Sequence, residues 1–232
     1  MMGKKKDKKS LQSPADRVLS KNTSFTVREA YNTLRTNLEF SFSEKGSKAL
    51  LFTSTAEGEG KSTSCLNTAI TFGEAGFKTL VIDCDLRRPN INSLLQLGQK
   101  EGLSGLLTGH SQINDMLIPT QHTNLDVIVS GRIPPNPAEL LSSDAMRELV
   151  ERLKEYYDYV FLDAPPIGVV ADSMILSRYA DGVVLVVREN VTDKKMLQVA
   201  IGQLQFAKAK ILGFLYNDAA VEGKGYSKYY GN

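Results

Sequence analysis

One glycine-rich stretch of the sequence has the composition of a phosphate-binding turn. Residues 55–62 read Thr-Ala-Glu-Gly-Glu-Gly-Lys-Ser, which fits the P-loop pattern except that Thr55 stands where the first glycine is expected. A β-type run precedes the turn and a helical run follows it, so backbone N–H groups at the helix N-terminus would form an anion site. The ammonium of Lys61 can reach the outer phosphates of a nucleotide, and the hydroxyl of Ser62 can bind Mg²⁺. The predicted nucleotide-binding residues of this turn are Glu57, Gly58, Glu59, Gly60, Lys61, Ser62 and Thr63.

Three aspartates follow apolar runs and complete the groups that a nucleotide site needs. Asp83 and Asp85 come directly after one such run, and Asp163 ends another in the form of a Walker B strand. Because the carboxyl ends of parallel strands meet at one edge of a sheet, these carboxylates are expected beside the P-loop. For any one of them alone, a helix N-cap is the simpler role. Together they predict a metal site formed by Ser62, Asp85, Asp163 and Asp83.

Three acids are more than a plain ATPase requires, which leaves one of them free to act as a base. Phosphoryl transfer depends mainly on positioning and on neutralising charge. We predict that Lys61 contacts the transferring phosphate and that Asp85 and Asp163 hold the metal directly or through water. Asp83 is the candidate base, because a tyrosine hydroxyl with a pKa of about 10 must lose its proton as it attacks. The predicted cofactors are ATP and Mg²⁺.

Three tyrosines lie within five residues near the C-terminus, namely Tyr226, Tyr229 and Tyr230. They are surrounded by Gly, Ser and Lys, so no packing requirement explains them. We predict that they accept the phosphate, although a solvated tail with incidental tyrosines is the simpler interpretation. From Tyr216 to Tyr226 an extended chain spans up to roughly 33 Å, which would let the tail reach its own site or that of a neighbouring copy.

These residues need a scaffold that brings several strand ends and the P-loop to one edge. Short apolar runs alternate with helical runs along the chain, which predicts an α/β fold: a doubly wound, mostly parallel sheet of the P-loop NTPase type with helices on both faces. The first helix is expected to begin with a capping box at Thr26 and Glu29. The predicted strands are 49–52, 79–83, 125–129, 159–163, 182–187 and 211–216, and the predicted helices are 26–42, 61–75, 136–156 and 192–208.

Composition limits the chain to one sizeable domain. It has 232 residues, of which 42% are hydrophobic, and a net charge of +2 that favours no particular partner. We predict a basic, disordered N-terminal segment over 1–24, a P-loop kinase domain over 25–220 and a flexible tyrosine-rich tail over 221–232. No run of about 18 apolar residues and no signal-peptide pattern occurs, so a cytoplasmic location is expected. Cys65 and Cys84 are expected to be buried thiols.

The motifs together resemble those of the bacterial tyrosine kinases, whose relatives include the ParA and MinD ATPases. The pattern Asp83-x-Asp85-x-Arg87 after a hydrophobic strand is similar to the family's Walker A′ motif, and Asp163-Ala-Pro-Pro is similar to its Walker B extension. The stretch 223–231 resembles its terminal tyrosine cluster, and the likeness extends over nearly the whole chain. The resemblance implies an ATP-dependent protein-tyrosine kinase that phosphorylates its own tail, with transfer between subunits.

The resemblance also assigns residues outside the phosphate-binding turn. Asn217, just after the last predicted strand, would hydrogen-bond the adenine; a role in shaping the loop is the alternative. Arg87 and Arg88 would stabilise charge or contact a neighbouring copy, and a purely structural role is the alternative for both.

Partners are implied in the same way. The family's oligomerisation motif spaces one Glu and two Arg at three-residue intervals, and here it reads Glu29, Asn32, Arg35. Glu29 and Arg35 are the expected homo-oligomer interface, which Asn32 is expected to weaken. A transmembrane polysaccharide co-polymerase would activate the kinase and recruit it to the inner face of the membrane, and a cognate tyrosine phosphatase would act on it. The process served would be capsular or extracellular polysaccharide synthesis or export, and no nucleic acid is expected.

The strongest alternative is an ATPase switch of the ParA or MinD type that dimerises on ATP and binds DNA or a membrane. Those proteins carry a second lysine near the start of the P-loop, where this chain has Ala56. The chain also lacks a C-terminal basic amphipathic helix of the membrane-binding type. Both features favour the kinase.

Overall fold

The fold is built around one seven-stranded sheet. The computed structural model describes residues 13–219. Six strands run parallel, and a two-residue strand pairs antiparallel at one edge. In chain order the strands are β1 (Lys48–Ser54), β2 (Thr79–Asp83), β3 (Ile118–Pro119), β4 (Leu125–Ile128), β5 (Tyr159–Asp163), β6 (Gly182–Arg188) and β7 (Ile211–Asn217). Across the sheet the order is β3-β4-β2-β5-β1-β6-β7. The doubly wound, mostly parallel sheet predicted from the sequence is confirmed.

Helices cover both faces of this sheet. They are α1 (Phe25–Phe40), α2 (Lys61–Glu74), α3 (Ile91–Leu95), α4 (Leu103–Leu107), α5 (Ile113–Met116), α6 (Pro137–Leu141), α7 (Asp144–Lys154), α8 (Asp172–Leu176) and α9 (Lys194–Phe206), preceded by a 3₁₀ helix (Pro14–Arg17). In β1, Leu50 and Phe52 belong to the core with α1 and α2, whereas Ala49 and Leu51 belong to the core with α7, α8 and α9. Alternate side chains of a strand point to opposite faces, so a run that is apolar throughout needs helices on each side.

The register of the central strands decides which functional residues meet. β5 lies between β1 and β2 and pairs Asp163 with Phe52 on one side and with Asp83 on the other. The turn after β1 therefore opens at the same edge of the sheet as the two aspartates. Asn217 reaches that edge as well, because β7 runs parallel to β6 and ends there. The expected meeting of strand ends beside the P-loop is observed.

The stretch before α1 is part of the packed domain. Val18 and Leu19 are buried, and the side chain of Asn67 accepts a hydrogen bond from the Leu19 N–H at 2.8 Å and donates one to the Arg17 carbonyl at 3.0 Å. The prediction of disorder therefore does not hold for residues 13–24. The buried side chains of Val18 and Leu19 and the amide of Asn67 hold this stretch. Asn67 belongs to α2, which lies about 50 residues further along the sequence.

Two helix starts differ from expectation. The N-cap of α1 is Ser24, whose side chain accepts from the Val27 N–H, so the capping box predicted at Thr26 is wrong. The single helix predicted over 136–156 is two helices, because Ser143 adopts an extended backbone and caps α7. The helices of four or five residues that went unpredicted are too short to show a period. No helix in the described part of the chain has the length and apolar composition needed to cross a bilayer.

Candidate functional site

The phosphate-binding turn lies between β1 and α2. Gly58 and Gly60 have φ angles of 77° and 92°, which residues with a Cβ rarely adopt. The N–H of Ser64 bonds the Gly60 carbonyl at 2.9 Å, which closes the first turn of α2. The positive end of that helix opens onto a cleft of about 510 Å³. Six of the predicted nucleotide-binding residues line this cleft, namely Glu57, Gly58, Gly60, Lys61, Ser62 and Thr63.

The side chain of Glu59 turns away from the cleft. It is buried and accepts hydrogen bonds from the Thr55 N–H (2.7 Å), the Thr55 hydroxyl (2.7 Å), the Ala56 N–H (3.1 Å) and the Thr192 hydroxyl. A carboxylate with several donors fixes the backbone around it. The Glu59 side chain therefore shapes the turn from inside, and a nucleotide contact of this residue, predicted from the backbone N–H groups of the turn, stays a prediction. Thr55, in place of the first glycine, supplies two of the donors.

Asn217 also contacts the turn. Its Nδ2 donates a hydrogen bond to the Glu59 carbonyl at 2.9 Å. A Cβ built on Gly60 would lie 2.1 Å from the same Nδ2 and would displace the Asn217 amide, and the φ of 92° favours glycine as well. Asn217 was predicted either to hydrogen-bond the adenine or to shape the loop. The structure shows a contact of the second kind, and Asn217 is not among the residues that line the cleft.

The ammonium of Lys61 lies among oxygen atoms. Its Nζ is 2.9 Å from Asp85 Oδ2 and 3.4 Å from Asp163 Oδ1, and it donates to Ser62 Oγ at 3.2 Å. Burial by itself would lower the pKa of Lys61, but the charges of Asp163 and Asp85 outweigh burial and hold the pKa above its usual range. Lys61 is therefore a cation at any physiological pH.

The carboxyl of Asp83 is fully buried. Burial and the negative charge of Asp163 raise its pKa to about 7. Oδ2 accepts from the N–H groups of Asn90 and Ile91, both at 3.0 Å, and Oδ1 accepts from the N–H of Asp85 at 3.2 Å. These bonds hold the loop after β2 and the start of α3. Asp83 does not line the cleft, whereas Asp85 does.

Asp163 ends β5 with no exposed surface. Burial raises the pKa of its carboxyl, against the opposing effects of Lys61 and of a hydrogen bond from Ser62. Among residues 13–219, Asp163 Oδ2 has no hydrogen-bond partner. A buried carboxylate oxygen without a partner is costly unless a cation or a donor completes its contacts. Asp163 is therefore suited to a site that a further cation completes.

Ser62, Asp85 and Asp163 offer the hard oxygen donors that Mg²⁺ prefers. No group of three or more His, Cys, Asp or Glu side chains within the described ranges is arranged to hold a metal unaided. Mg²⁺ in nucleotide sites takes one or two carboxylates and completes its shell with phosphates and water, so these three residues fit the ion. Asp83, the fourth predicted ligand, has its oxygens committed to backbone N–H groups in this arrangement.

Two loops line the cleft outside the turn. The loop after β2 contributes Asp85, Arg87, Arg88, Pro89 and Asn90, and the loop after β5 contributes Pro165, Pro166, Val169 and Val170. Arg87 ties the first loop to the start of α8, because it donates to both carboxylate oxygens of Asp172, with Nε at 2.8 Å and Nη2 at 3.2 Å. Arg88 pairs with Glu57 of the turn. Both arginines therefore have the structural role that was the alternative to stabilising charge or contacting a neighbouring copy.

Two charged residues of the site escaped the sequence analysis. Arg17 lines the cleft from the 3₁₀ helix, and Asp172 is the buried partner of Arg87. No motif surrounds Arg17, and an acid in the first turn of a helix such as Asp172 is ordinary on its own. Their places depend on contacts between distant parts of the chain, so no local signal would have identified them.

Cys65 and Cys84 are buried free thiols, as expected from the sequence.

The residues predicted to form an oligomer interface lie on α1. Glu29 Oε1 accepts from the side-chain amide of Asn32 at 2.8 Å, and Arg35 Nη1 donates to the Thr71 carbonyl at 3.0 Å. Both predicted interface residues thus have partners within their own chain. The predicted phosphate acceptors Tyr226, Tyr229 and Tyr230 lie outside the described residues.

Known proteins are similar in sequence to this chain over most of its length. A family model described as an AAA domain matches residues 47–198. The tyrosine-protein kinase YwqD of Bacillus subtilis is 41% identical over 203 residues, which cover 88% of this chain and 86% of YwqD. The tyrosine-protein kinase wzc of Salmonella typhimurium is 32% identical over 87% of this chain but only 28% of wzc.

Solved structures also resemble the fold over most of the chain. The kinase domain of the Escherichia coli tyrosine kinase ETK superposes with a TM-score of 0.78 at 31% identity, covering 85% of this chain and 79% of that domain. The septum site-determining protein MinD of Pyrococcus horikoshii, complexed with Mg-ADP, gives a TM-score of 0.61 at 25% identity, covering 72% of this chain and 69% of MinD. Both the sequence identity and the TM-score are lower for MinD than for the kinase domain.

Proposed function

Since this chain belongs to the bacterial tyrosine-kinase family and is a nucleotide-binding protein-tyrosine kinase, we propose that it uses ATP and Mg²⁺ to phosphorylate its own C-terminal tyrosines. The observation that carries the proposal is the charge arrangement at one sheet edge. Lys61, a permanent cation at the P-loop, lies against Asp85 and Asp163, and Asp83 behind them has a pKa of about 7. The proposed acceptors are Tyr226, Tyr229 and Tyr230.

The metal would be held by Ser62, Asp85 and Asp163, and it would neutralise charge on the phosphates of the bound nucleotide. In the structure Lys61 balances the two carboxylates. Its four-carbon stem lets the ammonium turn toward the transferring phosphate while it stays beside the turn. Glu59 and Asn217 hold the backbone of the turn in place from behind, so the N–H groups do not have to reorganise when phosphate binds.

Asp83 is the proposed base for the acceptor hydroxyl. A base works best when its pKa lies near the operating pH, and the value of about 7 meets that condition. Its carboxyl lies behind the cleft wall that Asp85 forms. Proton transfer from a tyrosine therefore requires a water molecule between them or a movement of the loop after β2.

The part of the chain that precedes the tail ends at the phosphate-binding turn. β7 ends at Asn217, which is hydrogen-bonded to the phosphate-binding turn. The nine residues from Asn217 to Tyr226 span up to roughly 30 Å when extended. That length reaches the cleft of the same chain or of a neighbouring copy. Transfer takes place between subunits in this proposal, as the resemblance to the family implies, with Glu29 and Arg35 at an interface that Asn32 weakens.

A separate membrane protein is the proposed activator. The match to wzc covers only 28% of that kinase, so most of wzc lies outside the region that is similar to this chain. We propose that a transmembrane polysaccharide co-polymerase activates the kinase and recruits it to the inner face of the membrane. A cognate tyrosine phosphatase removes the phosphates, and the cycle regulates capsular or extracellular polysaccharide synthesis or export.

Phosphopeptide mapping by mass spectrometry tests the proposal directly. The purified full chain is incubated with Mg²⁺-ATP, alone and with the cytosolic tail of a candidate activator, beside a Lys61→Met control. Phosphate on Tyr226, Tyr229 or Tyr230 in the wild type only is the expected result. Phosphotyrosine confined to other positions would refute the tail as acceptor, and release of ADP without any phosphotyrosine would favour the ATPase switch.

A further inference from the structure

One arginine of the cleft has no place in the mechanism above. Four basic side chains line the cleft, and Arg17 is the one whose guanidinium has neither an ion pair nor a hydrogen bond within residues 13–219. The other three have carboxylate partners, in the pairs Lys61–Asp85, Arg87–Asp172 and Arg88–Glu57. Arg17 is therefore the cation of the cleft that is free to meet an anionic ligand.

The backbone that carries Arg17 is anchored although its side chain is exposed. Asn67 is only 2% exposed and uses both ends of its amide on this segment, donating to the Arg17 carbonyl at 3.0 Å and accepting from the Leu19 N–H at 2.8 Å. The buried side chains of Val18 and Leu19 follow directly. The 3₁₀ helix also contacts α3, whose first N–H groups are held by Asp83. Arg17 is thus presented from a fixed support.

That support comes from the P-loop helix itself. Asn67 lies on α2 four residues after Thr63, which is about one helical turn or 6 Å along the axis. Arg17 is therefore held about one turn from the start of α2, and it lines the same cleft as the first residues of that helix. A guanidinium carries five donors in a planar fork that matches two oxygens of a phosphate. Because its backbone is already ordered, only the side chain of Arg17 has to lose freedom when it binds.

We propose that Arg17 binds a terminal phosphoryl group, one that carries three free oxygens, at the mouth of the cleft. This inference rests on the proposed function, since two such groups reach the cleft of a kinase that modifies its own tail. One is the terminal phosphate of the nucleotide. The other is a phosphotyrosine already formed on the tail, where Tyr229 and Tyr230 are adjacent in sequence and Tyr226 precedes Tyr229 by three residues, at most about 10 Å of extended chain. In the second case the first phosphate would promote the next transfer.

Equilibrium binding with matched variants tests the proposal and separates the two sources. Arg17→Gln removes the charge, Arg17→Lys keeps the charge without the fork, and Arg147→Gln is the control, because Arg147 pairs with Asp144 on α7 away from the cleft. The peptide probes are fluorescent copies of residues 223–231, unphosphorylated or phosphorylated at Tyr229, titrated into the full chain with Mg²⁺-ADP. The nucleotide probes are ADP and a non-hydrolysable ATP analogue. Far-UV circular dichroism and urea midpoints verify that each variant is folded.

We expect Arg17→Gln to lower the affinity for one phosphate-bearing probe by roughly tenfold or more. The affinity of Arg17→Lys should lie between those of the wild type and Arg17→Gln, and the affinity of Arg147→Gln should equal that of the wild type. A loss confined to the phosphorylated peptide identifies phosphotyrosine, and a loss for the ATP analogue but not for ADP identifies the terminal phosphate. Equal affinities of wild type and Arg17→Gln for all probes would overturn the proposal. Binding is measured without turnover, so this outcome is distinct from a failure to find phosphotyrosine in the mapping experiment.

Discussion

Replacing Arg87 should destabilise the protein, because it would leave a buried carboxylate without a partner. The Asp172 side chain is 1% exposed, and Arg87 donates to both of its oxygens. Removing one partner of a fully buried ion pair costs about 3–5 kcal/mol. The Arg87 side chain is 41% exposed, so water can replace it and solvate part of the Asp172 charge. For Arg87→Gln we therefore expect a loss of about 1.5–3 kcal/mol in the free energy of unfolding.

A double-mutant cycle with Asp172→Asn isolates this interaction. Asn keeps the size of the side chain and removes its charge, so Arg87→Gln should cost only about 0.5–1 kcal/mol in that background. The resulting coupling energy is about 1–2 kcal/mol. Urea unfolding of the full chain at pH 7, followed by far-UV circular dichroism, measures all four proteins. Arg147→Gln is the control, and no measurable change is expected for its exposed pair with Asp144. Strictly additive costs would refute the reasoning, as would an Arg87→Gln protein as stable as the control.

Three further predictions follow from other contacts. The folded state holds the Asp83 proton up to about pH 7, whereas the unfolded chain loses it near 3.8, so the free energy of unfolding should fall from about pH 4 to about pH 7. Urea titrations should show a shallower fall for Asp83→Asn, and an unchanged slope would contradict the raised pKa. Gly60→Ala should weaken nucleotide binding, because its Cβ would meet Asn217 Nδ2 at 2.1 Å and the amide would have to leave the Glu59 carbonyl. Gly58→Ala, with a φ of +77° and no atom within 4 Å, should lose about 1 kcal/mol of stability and still bind; equal loss of binding would argue against the clash. Asn32→Arg completes the family's motif and should raise the oligomer mass in light scattering; an unchanged mass would count against α1 as the interface.

Local patterns were sufficient for the elements and for the phosphate-binding turn. The six longer strands are apolar runs, and alternate side chains of such a run must be buried on two faces, which predicts a parallel sheet between helices. The turn before Lys61 was recognisable because glycines with positive φ, a lysine and a hydroxyl have to follow one another in the chain. Boundaries at Ser24 and Ser143 were misjudged, because several polar residues in a row can cap a helix and only packing selects one of them.

The sequence by itself therefore determined the fold class, the nucleotide-binding turn and the aspartates at one sheet edge, since all of these depend on neighbouring residues. Only the tertiary structure decided how each side chain is used. Glu59 accepts a hydrogen bond from Thr192, which lies 133 residues away, in addition to those from Thr55 and Ala56, and Arg87 is paired with a residue 85 positions away. The raised pKa of Asp83 has the same origin, because burial and the charge of Asp163 act through space. Contacts of this kind arise only when the sheet is assembled, so no pattern of adjacent residues records them.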